Sequence, residues 1–249
     1  MQYIRALFFT VQMYAVMAAM GLWWMPAAIR RPDGAHRAIR AYCRYVVWSA
    51  EKIVGLSSEV RGEVPQGEVM IAAKHQSFFD IILLCSVLPA PKFIMKQELT
   101  RAPVLGWFAM RIGCVPVDRG KKGQAIAKML ADVESGRARP GQLIIYPQGT
   151  RVAPGVDLPY KTGTAVLYQQ LGQTCIPVAV NVGLFWPRSG IAKRPGHAVL
   201  EFLDPIPPGL GKDAFVSRLS AAVEGRSTEL MRAAGWRPTE PAPATEGTS

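Results

Sequence analysis

The rhythm of apolar and polar positions changes between two regions of this chain. From Ala6 to Ile29 no charged residue interrupts the sequence. As a helix rising 1.5 Å per residue, that run is roughly 36 Å long, enough to cross a hydrocarbon core. Trp23 and Trp24 near its far end, followed by Arg30 and Arg31, are placed like residues at a cytoplasmic headgroup boundary. From Ala35 to Val54, Ile39, Tyr42, Cys43, Val46, Val47, Ala50, Ile53 and Val54 recur at helical spacing. Arg37, Arg40 and Arg44 gather on another side of the same helix. That pattern fits a helix in the headgroup plane and also a core-packed helix with solvated arginines. One spanning helix and a two-helix hairpin dipped into one leaflet both remain open. The length of the apolar run and the scarcity of basic residues before it argue against a cleaved signal peptide.

After Gly62 short apolar runs alternate with amphipathic stretches. Val69–Ala73, Phe93–Met95, Cys114–Val117, Leu143–Tyr146, Ile176–Val180 and Ala198–Leu203 read as strands. Phe78–Leu88, Leu99–Ile112, Gln124–Glu134, Thr164–Leu171 and Phe215–Ala234 read as helices. Alternation of the two predicts a layered α/β domain. Residues 1–56 then form N-terminal membrane-associating helices, residues 57–235 a folded domain, and residues 236–249, rich in Pro, Thr and Ala, a disordered tail.

Composition narrows the function. Half of the chain is hydrophobic (49%), only 19% is charged, and the net charge is +11. A disordered polyelectrolyte is excluded by the apolar content. The excess of cations suits nucleic acid, an anionic membrane surface or a phosphorylated substrate, and charge alone does not choose. Cys43, Cys85, Cys114 and Cys175 are too far apart for a CxxC site, and the three histidines form no HExxH, so no protein-bound metal is expected. There is no GxxxxGK[ST] loop, no strand followed by GxGxxG, and no GxSxG elbow.

The segment Lys74-His75-Gln76-Ser77-Phe78-Phe79-Asp80 carries the first chemistry. It lies at a strand-to-helix junction, where Asp80 can accept the Nδ1–H of His75, fix the tautomer and leave Nε2 to take a proton. Ser77 is better placed to cap the following helix than to act as a nucleophile. Downstream come Lys96-Gln97-Glu98-Leu99, Gly106-Trp107-Phe108, Gly113 through Gly120, Tyr146-Pro147-Gln148-Gly149-Thr150-Arg151, Tyr160-Lys161-Thr162-Gly163 and Ile176-Pro177-Val178. In this order the blocks resemble the glycerolipid acyltransferase family, most closely the 1-acylglycerol-3-phosphate acyltransferases. The resemblance runs from about Val69 to Val180.

That resemblance implies a layered glycerolipid-acyltransferase-type α/β domain, with a mixed sheet and flanking helices, behind an N-terminal hydrophobic two-helix membrane segment. It implies an inner-membrane (cytoplasmic membrane) protein whose catalytic domain faces the cytoplasm. His75 would deprotonate the sn-2 hydroxyl of 1-acylglycerol-3-phosphate, which attacks an acyl thioester to give phosphatidic acid, while Asp80 orients the histidine. Lys96, Arg119 and Arg151 would bind the acceptor phosphate, Gln148, Gly149 and Thr150 would form the acceptor-site loop, and Pro177 would serve the acyl donor or the structure. Acyl-CoA or acyl carrier protein is the implied co-substrate, without a further cofactor, and the partners are the lipid bilayer and a lysophospholipid rather than nucleic acid.

The chemistry asks for the same parts. A base contributes typically about 10²–10⁴-fold, donors must face the developing oxyanion, and arginine binds phosphate well through its bidentate geometry. Two positions depart from the resembled pattern: Gln148 stands where Glu is usual, and Lys74 where Asn commonly precedes the histidine. Both leave the acceptor open, so a lysolipid without a simple phosphate head, such as lyso-ornithine lipid, is an alternative. A basic membrane-anchored nucleic-acid-binding protein, or a non-catalytic membrane scaffold, is an alternative of another class. Either would leave the His75–Asp80 pair unexplained.

Overall fold

A computed structural model describes residues 1–117, 127 and 140–238. Apart from Ala127, the helix expected over Gln124–Glu134 lies outside the described residues, as do the candidate Arg119 and the last eleven residues of the expected tail.

Among the described residues, seven strands form one mixed sheet. They are β1 (Leu56–Arg61), β2 (Val69–Ala73), β3 (Pro91–Lys96), β4 (Val115–Val117), β5 (Gln142–Ile145), β6 (Cys175–Val180) and β7 (Gly196–Phe202). Their order is β1-β7-β6-β2-β5-β3-β4, with every pairing parallel except the antiparallel β6–β7. Successive side chains of β2 alternate between faces, as the strand period requires. Ile71 and Ala73 enter the core beneath α1 (Gln2–Arg30), α2 (Gly34–Ser49) and α3 (Phe79–Val87). Met70 and Ala72 enter the core beneath α5 (Thr162–Leu171) and α6 (Lys212–Ala233). Helices thus cover both faces, and β2 reads as a continuous apolar run because neither face meets water. The second core is anchored by Tyr168 stacked on Phe215, ring centroids 3.8 Å apart. Phe215 is fully buried, so Phe215→Ala is expected to cost about 3–5 kcal/mol, visible as a lowered midpoint in denaturant unfolding.

Three features differ from the sequence expectations. β1 was not anticipated: Leu-Ser-Ser-Glu-Val-Arg has only two apolar positions, and the strand is half-buried at the sheet edge, where weak alternation suffices. The helix expected over Leu99–Ile112 is broken into a 3₁₀ turn, Gln97–Arg101, and α4 (Leu105–Arg111). Pro103 disfavours helical geometry at the residue before it, and Val104 takes a left-handed φ of 62°. Two of the α2 arginines bond the domain, while Arg37 stays exposed beside Asp33. Arg40 donates to the Leu88 and Pro89 carbonyls at 3.0 and 2.8 Å, and Arg44 to the Ser86 carbonyl at 3.1 Å. Those carbonyls close α3, whose C-terminal end attracts cations.

α1 lies along the domain and is held at both ends. Near its start, Gln2 donates to the Val54 and Lys193 carbonyls, each at 3.0 Å. Midway, Tyr45 donates to Gln12 at 2.6 Å and Tyr42 to the Met13 carbonyl at 3.2 Å. Gly21 passes so close to Val104 that a Cβ would sit 2.4 Å from its methyl carbon. At the far end Arg111 donates to the Ala28 and Ile29 carbonyls at 2.7 and 3.1 Å. Ala6, Phe9 and Met13 belong to the main core, while Tyr3, Ile4, Leu7, Phe8, Val11, Tyr14, Leu22 and Trp23 are exposed.

Candidate active site

The parallel strands β2, β5 and β3 present their C-terminal ends, Ala73, Ile145 and Lys96, along one edge of the sheet. Such an edge is where open α/β sheets bind ligands. The turn between β2 and α3 wraps a carboxylate. Asp80 Oδ2 accepts the backbone N–H of Gln76 at 2.9 Å and of Ser77 at 2.8 Å. Ser77 Oγ accepts the Phe79 N–H at 3.1 Å from one residue before Phe78, the N-cap of α3. His75 Nδ1 lies 2.9 Å from Asp80 Oδ1 and 3.2 Å from Oδ2.

Asp80 is fully buried and accepts from the Gln76 and Ser77 N–H groups and the Tyr146 hydroxyl, three donors that suit a carboxylate. The tautomer that suits such a carboxylate has its proton on Nδ1, which in a neutral imidazole leaves the lone pair on Nε2. The pairing expected from sequence spacing is present at hydrogen-bonding distance.

Tyr146, at the end of β5, completes the housing. Its ring stacks on His75 at 3.9 Å between centroids and 18° between planes. Its hydroxyl donates to Asp80 Oδ1 at 3.3 Å. Burial, and then the Asp80 charge, hold the phenol well above its ordinary pKa, so it stays a protonated donor. In the sequence, the Tyr146-Pro147-Gln148-Gly149-Thr150-Arg151 segment carries no signal for this role of Tyr146. The sequence placed it at the end of the expected strand Leu143–Tyr146, whereas the strand stops at Ile145.

The Pro147–Val152 loop is bound to the same turn. Val152 donates its N–H to the His75 carbonyl at 2.7 Å. Gly149 takes a left-handed φ of 69° and donates its N–H to the Tyr146 carbonyl at 2.8 Å. That N–H is occupied by the turn and is not a free oxyanion donor. Thr150 and Arg151 are exposed, and Arg151 Nη1 donates to the Arg188 carbonyl at 2.7 Å. Lys96 is exposed at the end of β3. Gln148, in contrast, is buried and turned inward, donating to the Leu158 carbonyl at 3.0 Å and to Glu224 at 3.4 Å. Pro177 is buried in the middle of β6 opposite Ala72, and its carbonyl accepts the Leu203 N–H. The structure thus brings His75, Asp80 and the loop carrying Arg151 together, and puts Pro177 inside the sheet.

A second polar cluster went unnoticed in the sequence. Lys74, only 3% exposed, reaches both oxygens of Glu224 at 2.6 and 2.8 Å. Tyr160 donates to Glu224 at 2.9 Å. Burial, and then Glu224, raise the Tyr160 pKa. Glu224 lies 150 residues from Lys74, on α6, so no local pattern could have paired them.

Comparison with known proteins adds the following. The model of the Acyltransferase family matches residues 57–181. A 1-acyl-sn-glycerol-3-phosphate acyltransferase of Pseudomonas aeruginosa is 28% identical over 160 residues, covering 64% of this chain and 62% of the relative. One from Saccharomyces cerevisiae is 29% identical over 208 residues, covering 80% of this chain and 67% of the relative. The chain therefore spans about three fifths of the bacterial relative's length and two thirds of the yeast one's. The crystal structure of the 1-acyl-sn-glycerophosphate (LPA) acyltransferase PlsC from Thermotoga maritima superposes with a TM-score of 0.77. It is 19% identical and covers 92% of this chain and 99% of that one, a likeness of fold.

Proposed function

This chain belongs to the Acyltransferase family, and from that premise we propose that it acylates 1-acylglycerol-3-phosphate at the sn-2 hydroxyl to give phosphatidic acid for phospholipid synthesis. The acyl donor is a thioester, acyl-CoA or acyl carrier protein. His75 Nε2 takes the hydroxyl proton as the oxygen attacks the thioester carbonyl. The tetrahedral intermediate collapses, the C–S bond breaks, and the proton leaves with the thiolate as free thiol. Asp80 holds the ring and stabilises the imidazolium that forms in between. Thiolate is a good leaving group, so the reaction runs on its co-substrate alone, without a resident cofactor. Arg151, Lys96 and Arg119 are the cations proposed for the acceptor phosphate. The observation that supports this reading is the Nδ1–Asp80 contact, which leaves Nε2 as the proton acceptor at the sheet edge.

Purified protein given lysophosphatidic acid and acyl-CoA is expected to release thiol in step with phosphatidic acid. Thiol release with lyso-ornithine lipid in place of lysophosphatidic acid would move the assignment to an aminolipid acceptor.

The proposed location is the cytoplasmic face of the inner membrane, with α1 lying in one leaflet rather than crossing it. A 29-residue helix is about 43 Å long. Gln2 and Arg111 tie its two ends to the same domain, and its outward face is apolar. A helix so held has no end free to reach the opposite side. Arg5→Cys, at an exposed charged position near the start of α1, is expected in membrane vesicles to react with an impermeant maleimide from the cytoplasmic side only. Labelling from the periplasmic side would establish a span.

A further inference from the structure

The four residues Lys74, Gln148, Tyr160 and Glu224 lie behind the catalytic pair and share no hydrogen bond with it. Their contacts converge on one carboxylate. Glu224 receives both bonds of the Lys74 ammonium, the Tyr160 hydroxyl and the Gln148 amide. Lys74 is the residue before His75, and its own N–H donates to the Val178 carbonyl at 2.9 Å. Gln148 belongs to the loop that carries Arg151 and that bonds the His75 carbonyl through Val152. Its amide faces two acceptors, the Leu158 carbonyl and Glu224, and needs two N–H donors to satisfy both. Gln supplies them, whereas an ionised Glu would supply none.

We propose that Glu224 is a positioning residue for both halves of the site. Through Lys74 it fixes the turn that presents His75, and through Gln148 it fixes the loop that presents Arg151. The inference rests on the acyl-transfer reading of the His75–Asp80 pair. Lys74 is buried while Glu224 is one-third exposed, so the pair adds little net stability, but losing Glu224 leaves the buried Lys74 charge stranded. In this cluster the stranded charge would sit one residue from the catalytic base. Displacements of about 1 Å at such a distance from the chemistry lower rates by on the order of 10²-fold.

The test uses the full-length protein in detergent and reads two signals. The first is the His75 Nδ1–H proton resonance, identified as the histidine ring signal missing from His75→Ala. The second is thiol release against lysophosphatidic acid and acyl-CoA. Glu224→Gln is expected to shift or broaden the His75 resonance, lower kcat about 10- to 100-fold, and raise KM for the lysolipid but not for acyl-CoA. Lys74→Met combined with Glu224→Gln removes both charges and is expected to recover the melting temperature without recovering kcat. Recovery of both together would show a merely structural pair and overturn the proposal. An unaltered His75 resonance in Glu224→Gln would overturn it as well, whatever the turnover. A wild-type protein without turnover, whose His75 signal still responds to Glu224→Gln, would sink the acyl-transfer reading and leave the positioning role standing.

Discussion

His75→Ala is expected to lower thiol release by about 10²–10⁴-fold, the contribution of a positioned general base. The melting temperature should stay close to that of the wild type. The reason for the split lies in how the turn is built. Asp80 keeps the Gln76 and Ser77 N–H donors and the Tyr146 hydroxyl when the imidazole is gone, so its buried charge remains solvated. Val152 bonds the backbone carbonyl of residue 75, which survives the substitution. The variant should therefore bind acyl-CoA with unchanged affinity while failing to turn over. Wild-type turnover by folded His75→Ala protein would remove the histidine from the mechanism.

Asp80→Asn should damage both properties. A neutral amide offers one acceptor oxygen where the carboxylate accepts from Gln76, Ser77, His75 and Tyr146. At least one of those donors is left unpaired in a fully buried place, at a cost of about 1–3 kcal/mol. If the amide nitrogen faces Nδ1, the imidazole must switch tautomer, placing its proton on the nitrogen that should accept. Losses of that kind reach on the order of 10⁴ in kcat elsewhere. The expected result is therefore a melting temperature below that of His75→Ala and a comparable or larger loss of activity. Differential scanning fluorimetry alongside the thiol assay would separate the two. An Asp80→Asn protein with the stability and turnover of wild type would refute the assigned tautomer.

The sequence disclosed the chemistry better than its supports. His75 and Asp80 sit within one short turn, where five residues of spacing fix their approach, and that pairing was legible. So were β2, β5 and β6, because strands buried on both faces read as unbroken apolar runs. Long-range pairings were not legible. Lys74 and Gln148, the two departures from the resembled pattern, meet at Glu224, which a sequence can bring to them only by folding α6 across the sheet. The sequence left the α2 arginines facing either headgroups or water, whereas Arg40 and Arg44 bond carbonyls at the end of α3, partners invisible before the helices are packed. The helix break at Val104 was hidden by good apolar periodicity, although Pro103 marks it.

α1 has a practical consequence beyond localisation. Phe9 meets Trp186 edge-on at 5.5 Å, and Trp186 in turn stacks on Phe79, the neighbour of Asp80, at 5.3 Å. The segment that resembles a detachable anchor is thus a wall of the α/β domain. Trimming residues 1–30 to obtain a water-soluble enzyme would open the main core where Ala6, Phe9 and Met13 now fill it. Solubility has to be sought instead by repainting the outward residues, such as Ile4, Phe8 and Val11, with polar side chains while the helix stays in place.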